Sequence, residues 1–190
     1  MVDWSSVKGG KYTVRIVKID LGLPMFIAHL PAGYLVTKFV CRNLRMSAEV
    51  KNKVMASGLL GAIAPDLDLF YWSLVDRYRD HHHSYWSHYP VAWLLLLLTS
   101  HILFRVHGKG YRSYGLLLFS LNGFFHLILD SMAGEIRWLM PFENSGYSLA
   151  MILPDYSPWF LNFILHWTFL VEISIVALCC LSLYRSIIVR

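Results

Sequence analysis

The feature that most constrains the fold is an uncharged apolar stretch at residues 90–104, which contains five consecutive leucines. A helix that crosses a membrane needs about 20 mostly apolar residues, and Pro90 suits the first turn of such a helix. The whole chain has a mean hydropathy of +0.48 and only 15% charged residues, which excludes an ordinary soluble domain. These observations predict an all-α, polytopic membrane helical bundle.

Four further segments complete an expected bundle of about four to five membrane helices. They are residues 21–40, 54–75, 114–132 and 159–184. The first of them contains Pro24 and Pro31 beside His29, so we expect it to pack inside the bundle rather than face lipid. Residues 1–19 form a basic N-terminal arm. Residues 20–190 are interpreted as a single membrane-embedded domain.

The segment at residues 54–75 combines close packing with a helix break. It begins with small residues, which allow helices to approach closely: Ala56, Ser57, Gly58, Gly61 and Ala62. Pro65 follows and is expected to break or kink the helix. This break would turn Asp66 and Asp68 inward, although they are only two residues apart.

The net charge of +5 would suggest nucleic acid in a soluble protein. Here the Lys and Arg residues flank apolar segments, as topology signals do, so we expect no nucleic-acid partner. The three cysteines, Cys41, Cys179 and Cys180, form no paired framework, and we expect no structural disulfide.

When the spans alternate across the membrane, metal-ligand residue types collect on one side. We denote the side of the N-terminus X and the opposite side Y. The residues that reach side X are His29, Asp66, Asp68, residues 81–88, His126, Asp130 and His166. Side Y carries more Lys and Arg, so the positive-inside rule places Y in the cytoplasm and the site on the extracytoplasmic face.

Three local patterns suggest metal chemistry, and each has an alternative explanation. His126 and Asp130 are four residues apart, so they share a helix face and can address one ion; a hydrogen bond within the bundle would explain the pair equally well. Asp66 and Asp68 supply carboxylates, or only an acidic first turn of a helix. His83 and His88 are five apart, which implies a loop around a ligand, or a solvated polar turn. Which of His81, His82 and His83 bind metal stays open, since a loop position alone would also explain His81 and His82.

Taken together, these residues carry a family resemblance. The order Ala28-His29, Pro65-Asp66-Leu67-Asp68, residues 83–88 (HSYWSH), residues 126–130 (HLILD) and Pro141-Phe142 resembles the membrane-bound, metal-dependent hydrolases described as LexA-regulated inner-membrane proteins. The ligand order is also similar to that of zinc-dependent phospholipase C. The resemblance implies a bacterial inner-membrane protein.

The resemblance also implies a ligand set and a reaction. The implied ligands are His29, Asp66, Asp68, His83, His88, His126 and Asp130, with Asp130 as a bridge between ions. Zinc is the expected metal, with manganese or iron as alternatives, in one to three ions. Asp66 or Asp68 would act as the catalytic proton acceptor. The family usually has an arginine at the position of Ser84, so Arg77, Arg79 and Arg137 are the candidates to bind a substrate anion.

Two functions from different classes follow. The first is a membrane-bound hydrolase that uses metal-activated water on a phosphoester of a membrane lipid or lipid-linked substrate. The alternative is a non-enzymatic membrane protein that binds or carries metal ions. A carrier would need ligands along a path through the membrane, whereas here they collect at one side, which favours the enzyme.

Overall fold

The computed structural model describes residues 27–77, 82–108, 110–150, 152–153, 155–158 and 160–188. The basic arm that the sequence predicts at residues 1–19 lies outside this part of the chain. Within it, the α-helices are α1 (His29–Cys41), α2 (Ala48–Ile63), α3 (Asp68–Leu74), α4 (Pro90–His107), α5 (Tyr111–Asp130), α6 (Phe160–Ile164) and α7 (Trp167–Ile188). β pairing among the described residues is limited to one bridge between Ile136 and Tyr147. The all-α class is confirmed.

Three of these helices, α4, α5 and α7, are long and apolar enough to cross a membrane. A fourth span is formed if α2 is counted together with the 3₁₀ turn and α3 that follow it, a pair bent by 58°. The bend follows Ala64 and begins at Pro65, which confirms the predicted helix break. The segment predicted at residues 21–40 contributes α1, whose 13 residues are too few to span a bilayer alone. Residues 21–26 of that segment lie outside the described part of the chain.

Helix α5 is the centre of the bundle. Of its apolar 18-residue stretch, 56% is buried, whereas the corresponding share is 17% in both α4 and α7. It packs against α1, α2 and α4. At Gly123 a Cβ atom would overlap the indole of Trp93 on α4. That indole donates a hydrogen bond of 2.7 Å from Nε1 to the Ser87 carbonyl oxygen. The α4–α5 contact therefore fixes the loop that carries His88.

The small residues of α2 let it approach its neighbours, as the sequence predicts. A Cβ atom at Gly61 would overlap the backbone carbonyl of Phe119 in α5, and one at Gly58 would overlap the Thr37 hydroxyl in α1. Because backbone atoms cannot move aside as a flexible side chain can, the Gly61 contact sets the distance between α2 and α5. Both helices carry residues of the site described below.

We expect Gly61→Ala to destabilise the protein by about 1–3 kcal/mol, because an added methyl group must displace the α5 backbone. The measurement is the midpoint of thermal unfolding of purified protein in detergent. Gly110→Ala is the matched control, since a Cβ atom at Gly110 meets nothing within 4 Å. Equal midpoints for the two variants would contradict the close α2–α5 contact.

Helix α7 is joined to α1 by polar contacts at two levels. The backbone N–H of Ile27, just before α1, donates a hydrogen bond of 3.0 Å to Oε2 of Glu172. Further along, Lys38 donates to Ser182 and Ser186. The two helices therefore run side by side in the same direction, and Glu172, which is fully buried, holds the start of α1.

Candidate metal centre

Four side chains from three parts of the chain meet where the bent α2–α3 span faces the end of α5. Asp66 comes from the 3₁₀ turn after α2, His88 from the loop before α4, and His126 and Asp130 from the last turn of α5. One donor atom from each lies within 4.8 Å of the donor atoms of the other three. Three of the residues are buried, whereas the side chain of Asp66 is 26% exposed. The group therefore opens to the outside at Asp66.

The distances between these donors match those of ligands that share one ion. Nε2 of His126 lies 3.0 Å from Oδ2 of Asp130 and 3.4 Å from Oδ1 of Asp66. Nε2 of His88 lies 3.6 Å from the same Asp130 oxygen and 3.8 Å from the same Asp66 oxygen. Two ligands on a tetrahedral zinc ion, with bonds of about 2.1 Å, are about 3.4 Å apart. The four measured separations bracket that value.

Both histidines present a nitrogen lone pair to this group. Nδ1 of His126 lies 2.7 Å from the Ala62 carbonyl oxygen, which accepts its proton. Nδ1 of His88 lies 2.8 Å from a carboxylate oxygen of Asp68. A neutral imidazole that donates through Nδ1 has its lone pair on Nε2. Partners behind the ring that fix its orientation and tautomer are typical of histidines that ligate metals.

The arrangement therefore brings acceptors together without donors. Among the described residues, Nε2 of His88, Nε2 of His126, Oδ1 of Asp66 and both oxygens of Asp130 have no hydrogen-bond partner, although they are buried. Buried polar atoms without partners are costly. Carboxylate oxygens that face imidazole lone pairs repel them unless a proton or a metal ion lies between them. The donor set of two histidines and two carboxylates thus fits a divalent metal ion.

Asp130 is at the centre of a wider set of histidines, because its two oxygens face different neighbours. Oδ1 lies 3.1 Å from Nε2 of His29 at the start of α1. Oδ2 lies 3.8 Å from Nε2 of His83, in addition to its contacts with His88 and His126. The ring of His29 stacks on that of His126, with 3.8 Å between centroids. The structure thus brings His29 and His83 to the same carboxylate, as the proposed bridging role of Asp130 requires.

His82, whose role the sequence leaves open, is buried at this site. Its ring stacks on that of His83 with 4.0 Å between centroids. Nitrogen atoms of His82, His83 and His88 also lie within 4.8 Å of one another, which makes a second group able to hold an ion. Gly134 permits the close approach, since a Cβ atom there would lie 2.8 Å from Cε1 of His83. His81 lies outside the described residues.

Asp68 lies behind His88 rather than among the four converging donors. One of its oxygens accepts from Nδ1 of His88 and from the Ser87 hydroxyl. Its partner Asp66, two residues earlier, faces the histidine Nε2 atoms instead. The two carboxylates therefore occupy different positions, Asp66 as a candidate ligand and Asp68 as the residue that orients a ligand. A direct ligand role for Asp68 stays a prediction.

We expect Asp68→Asn to lower metal affinity by about 10–100-fold, because the loss of a partner behind a metal-binding histidine has effects of this size. The measurement is a zinc titration of the purified protein in the presence of a competing chelator. Glu49→Gln is the control, since Glu49 is exposed at the start of α2 and pairs only locally with Lys53. An unchanged affinity in Asp68→Asn would contradict the orienting role.

Residues 25–189 of the chain match the model of a protein family that is described as the YdjM inner membrane protein. The chain belongs to this family. The match covers every described helix, and it agrees with the predicted inner-membrane location. No curated protein and no solved structure matches the chain. The family description gives a location and no reaction, so the hydrolase activity and the phospholipase likeness belong to the proposals below.

The remaining candidates from the sequence are three arginines and two histidines outside the four converging donors. Arg77 is exposed after α3, and Arg137 is half-buried in the loop after α5; Arg79 lies outside the described residues. His166 makes local hydrogen bonds with Thr168 at the start of α7. His101 is exposed on α4, toward side Y.

Two contributors to the site were missed by sequence reasoning. The Ala62 carbonyl fixes the tautomer of His126, and no sequence signal marks a backbone acceptor. Ser87 binds Asp68, and it stands out in the sequence only because it precedes His88.

Proposed function

We propose that this inner-membrane protein is a metal-dependent hydrolase that cleaves a phosphoester of a membrane lipid or lipid-linked substrate. The observation that carries the proposal is the buried group of Asp66, His88, His126 and Asp130, whose acceptor atoms face one another at ligand distances. A site of this kind in a membrane protein is costly unless it serves a function.

The four converging donors would hold the first ion. Mixed histidine and carboxylate ligation suits zinc, and manganese or iron are the alternatives. Residues for a second ion are His82 and His83, whose nitrogens lie close to that of His88. When bound, the metal supplies Lewis-acid polarisation of the phosphoryl group and lowers the pKa of a coordinated water to about 7.

The side chains around the opening support a proton acceptor at Asp66. It is the partly exposed member of the group, so water and substrate reach it first. In the proposed reaction, the water oxygen adds to phosphorus and the bond from phosphorus to the leaving alcohol oxygen breaks. The Asp66 carboxylate takes the proton of the water and returns it to the leaving oxygen. Arg137 and Arg77 are the described cations available for the substrate phosphate.

The surface beside the opening supports a lipid substrate. Helix α3 begins at Asp68 and has no fully buried residue. Its apolar side chains are instead exposed, with Phe70 at 67% and Leu74 at 75%, and Trp86 in the neighbouring loop is also exposed at 75%. An exposed apolar patch next to a polar site fits the interface of a membrane, from which a lipid can reach Asp66 laterally.

The distribution of cations supports an extracytoplasmic site. Among the described residues, those at the Y ends of the helices carry most of the Lys and Arg side chains: Lys38, Arg42, Arg45, Lys51, Lys53, Arg105, Arg112 and Arg185. By the positive-inside rule this end faces the cytoplasm. The metal centre would then face the opposite side of the inner membrane.

A metal carrier is less well supported. Both groups of His and Asp that could hold an ion lie at the X ends of the helices, and none is found toward side Y in the described residues. A carrier requires a second set of ligands along the path of the ion.

The test is hydrolysis by the purified, zinc-loaded protein of phospholipids, isoprenyl phosphates and lipid A precursors, with and without a chelator. We expect at least one lipid class to be cleaved in the loaded protein and not after complete metal removal. Activity that survives metal removal would contradict the proposal. So would zinc binding without hydrolysis of any of these lipids, which would favour the carrier.

A further inference from the structure

A second polar cluster lies toward side Y, between α1 and α7. Nζ of Lys38 donates hydrogen bonds to the Ser182 carbonyl oxygen at 2.8 Å, to the Ser182 hydroxyl at 2.7 Å and to the Ser186 hydroxyl at 2.6 Å. Lys38 follows His29 by nine residues in α1, which places it about 14 Å along the helix axis from His29, the residue of α1 that faces the metal centre. The cluster is therefore separate from that centre.

Among the described residues, no carboxylate pairs with the cations of this cluster. All three groups that accept from Lys38 are uncharged oxygens. Among the ion pairs of the described residues, none involves Lys38 or Arg185, which follows Ser182 by almost one helical turn. A cation at the edge of the bilayer core is costly unless an anion or water compensates it. Two such cations together create a site that attracts an anion.

A cavity of about 250 Å³ opens beside Lys38 and is lined by both cationic and apolar side chains. Besides Lys38, the lining comprises Arg185, Ser182, Leu178 and Leu181. The two leucines are 57% and 54% exposed, so they face the region that lipid chains occupy in a membrane. An occupant must therefore combine an anionic group with a hydrocarbon chain.

We propose that this cavity binds one anionic glycerophospholipid. Its phosphate lies between Lys38 and Arg185, and an acyl chain lies along Leu178 and Leu181. Because the three protons of Lys38 are already donated to α7, Lys38 supplies charge and Arg185 supplies the hydrogen bonds. Basic pockets between membrane helices on the cytoplasmic side bind such headgroups. The site shares no residue with the metal centre and is independent of the proposed hydrolysis.

The experiment is native mass spectrometry of the full-length, delipidated protein in detergent, titrated with phosphatidylglycerol or with phosphatidylcholine. We expect the wild type to bind one phosphatidylglycerol in preference to phosphatidylcholine. Arg185→Gln should lower the affinity for phosphatidylglycerol about fivefold, the effect expected for one basic residue near an anionic surface. The control is Arg105→Gln, since Arg105 is an exposed cation in the last turn of α4 and does not line the cavity.

Each alternative outcome overturns the proposal in a distinct way. Equal binding of the two lipids by the wild type would show that no anion-selective site exists. An equal loss in Arg105→Gln and Arg185→Gln would assign the preference to general surface charge. Displacement of the lipid by inorganic phosphate at millimolar concentration would make the ligand a free anion.

Discussion

Asp130→Asn is expected to abolish stoichiometric binding of a divalent metal. Asp130 is fully buried, and its two oxygens face the Nε2 atoms of four histidines, His29, His83, His88 and His126. The substitution keeps the shape of the side chain and removes its charge. We expect the affinity to fall by more than the roughly 100-fold that marks the largest effects of partners behind a ligand. The measurement is metal analysis of the purified protein, with Asp155→Asn, in an exposed loop, as control.

A second pair of variants tests whether the loss of metal is specific to a histidine of the centre. His126→Ala removes a nitrogen that lies 3.0 Å from Asp130, whereas His101→Ala removes an exposed imidazole on α4. We expect the first to lose the metal and the second to retain it. The model of the centre is wrong if the wild type holds no stoichiometric metal, or if His101→Ala loses as much as His126→Ala.

Loss of metal through misfolding can be recognised from unfolding in the presence of chelator. In chelator, Asp130→Asn should still unfold in a single cooperative transition, which shows that the variant is folded. With zinc, only the wild type should gain stability, because a ligand that binds the folded state shifts the unfolding equilibrium. A large stability loss in chelator would instead make Asp130 a structural residue.

The parts of the fold that follow from local sequence were predictable. Apolar length identified α4, α5 and α7, and Pro65 identified the bend, because proline removes a helix hydrogen bond wherever it stands. The helical spacing of His126 and Asp130 was enough to place both on one face. The start of α1 at His29 was not predictable, because apolar residues both precede and follow Pro31 and no local signal marks the first turn.

The different roles of the residues inside the site were not predictable from local sequence. Asp66 and Asp68 are two residues apart in similar surroundings, and the sequence assigned both as ligands and proton acceptors. Their positions differ because His88, about 20 residues further along, places Nδ1 on Asp68 and Nε2 toward Asp66. The burial of His82 likewise depends on packing between distant parts of the chain. Such contacts arise from tertiary structure and leave no local pattern.

The second large effect is expected for Asp66→Asn, which should lower the rate of lipid hydrolysis by about 10²–10⁴-fold at saturating zinc. Loss of a general base has an effect of this size. The substitution removes the charge of one ligand and so should also weaken metal binding, but His88, His126 and Asp130 still converge, so that excess zinc should fill the site. The measurement compares kcat at saturating zinc with the metal content of the same sample. Glu49→Gln is the control, as a carboxylate on the opposite side of the protein.

Comparison with Asp68→Asn distinguishes the proposed role of Asp66 at the opening from that of Asp68 behind His88. Asp68 orients His88, so its loss should act through metal affinity, and added zinc should restore much of the rate. Asp66 lies at the exposed edge of the group, and zinc should not restore the rate of its variant. If Asp66→Asn loses the metal, Asp66 is an essential ligand and the proton acceptor must be another group. If it keeps both metal and rate, water is activated without a carboxylate base at the opening.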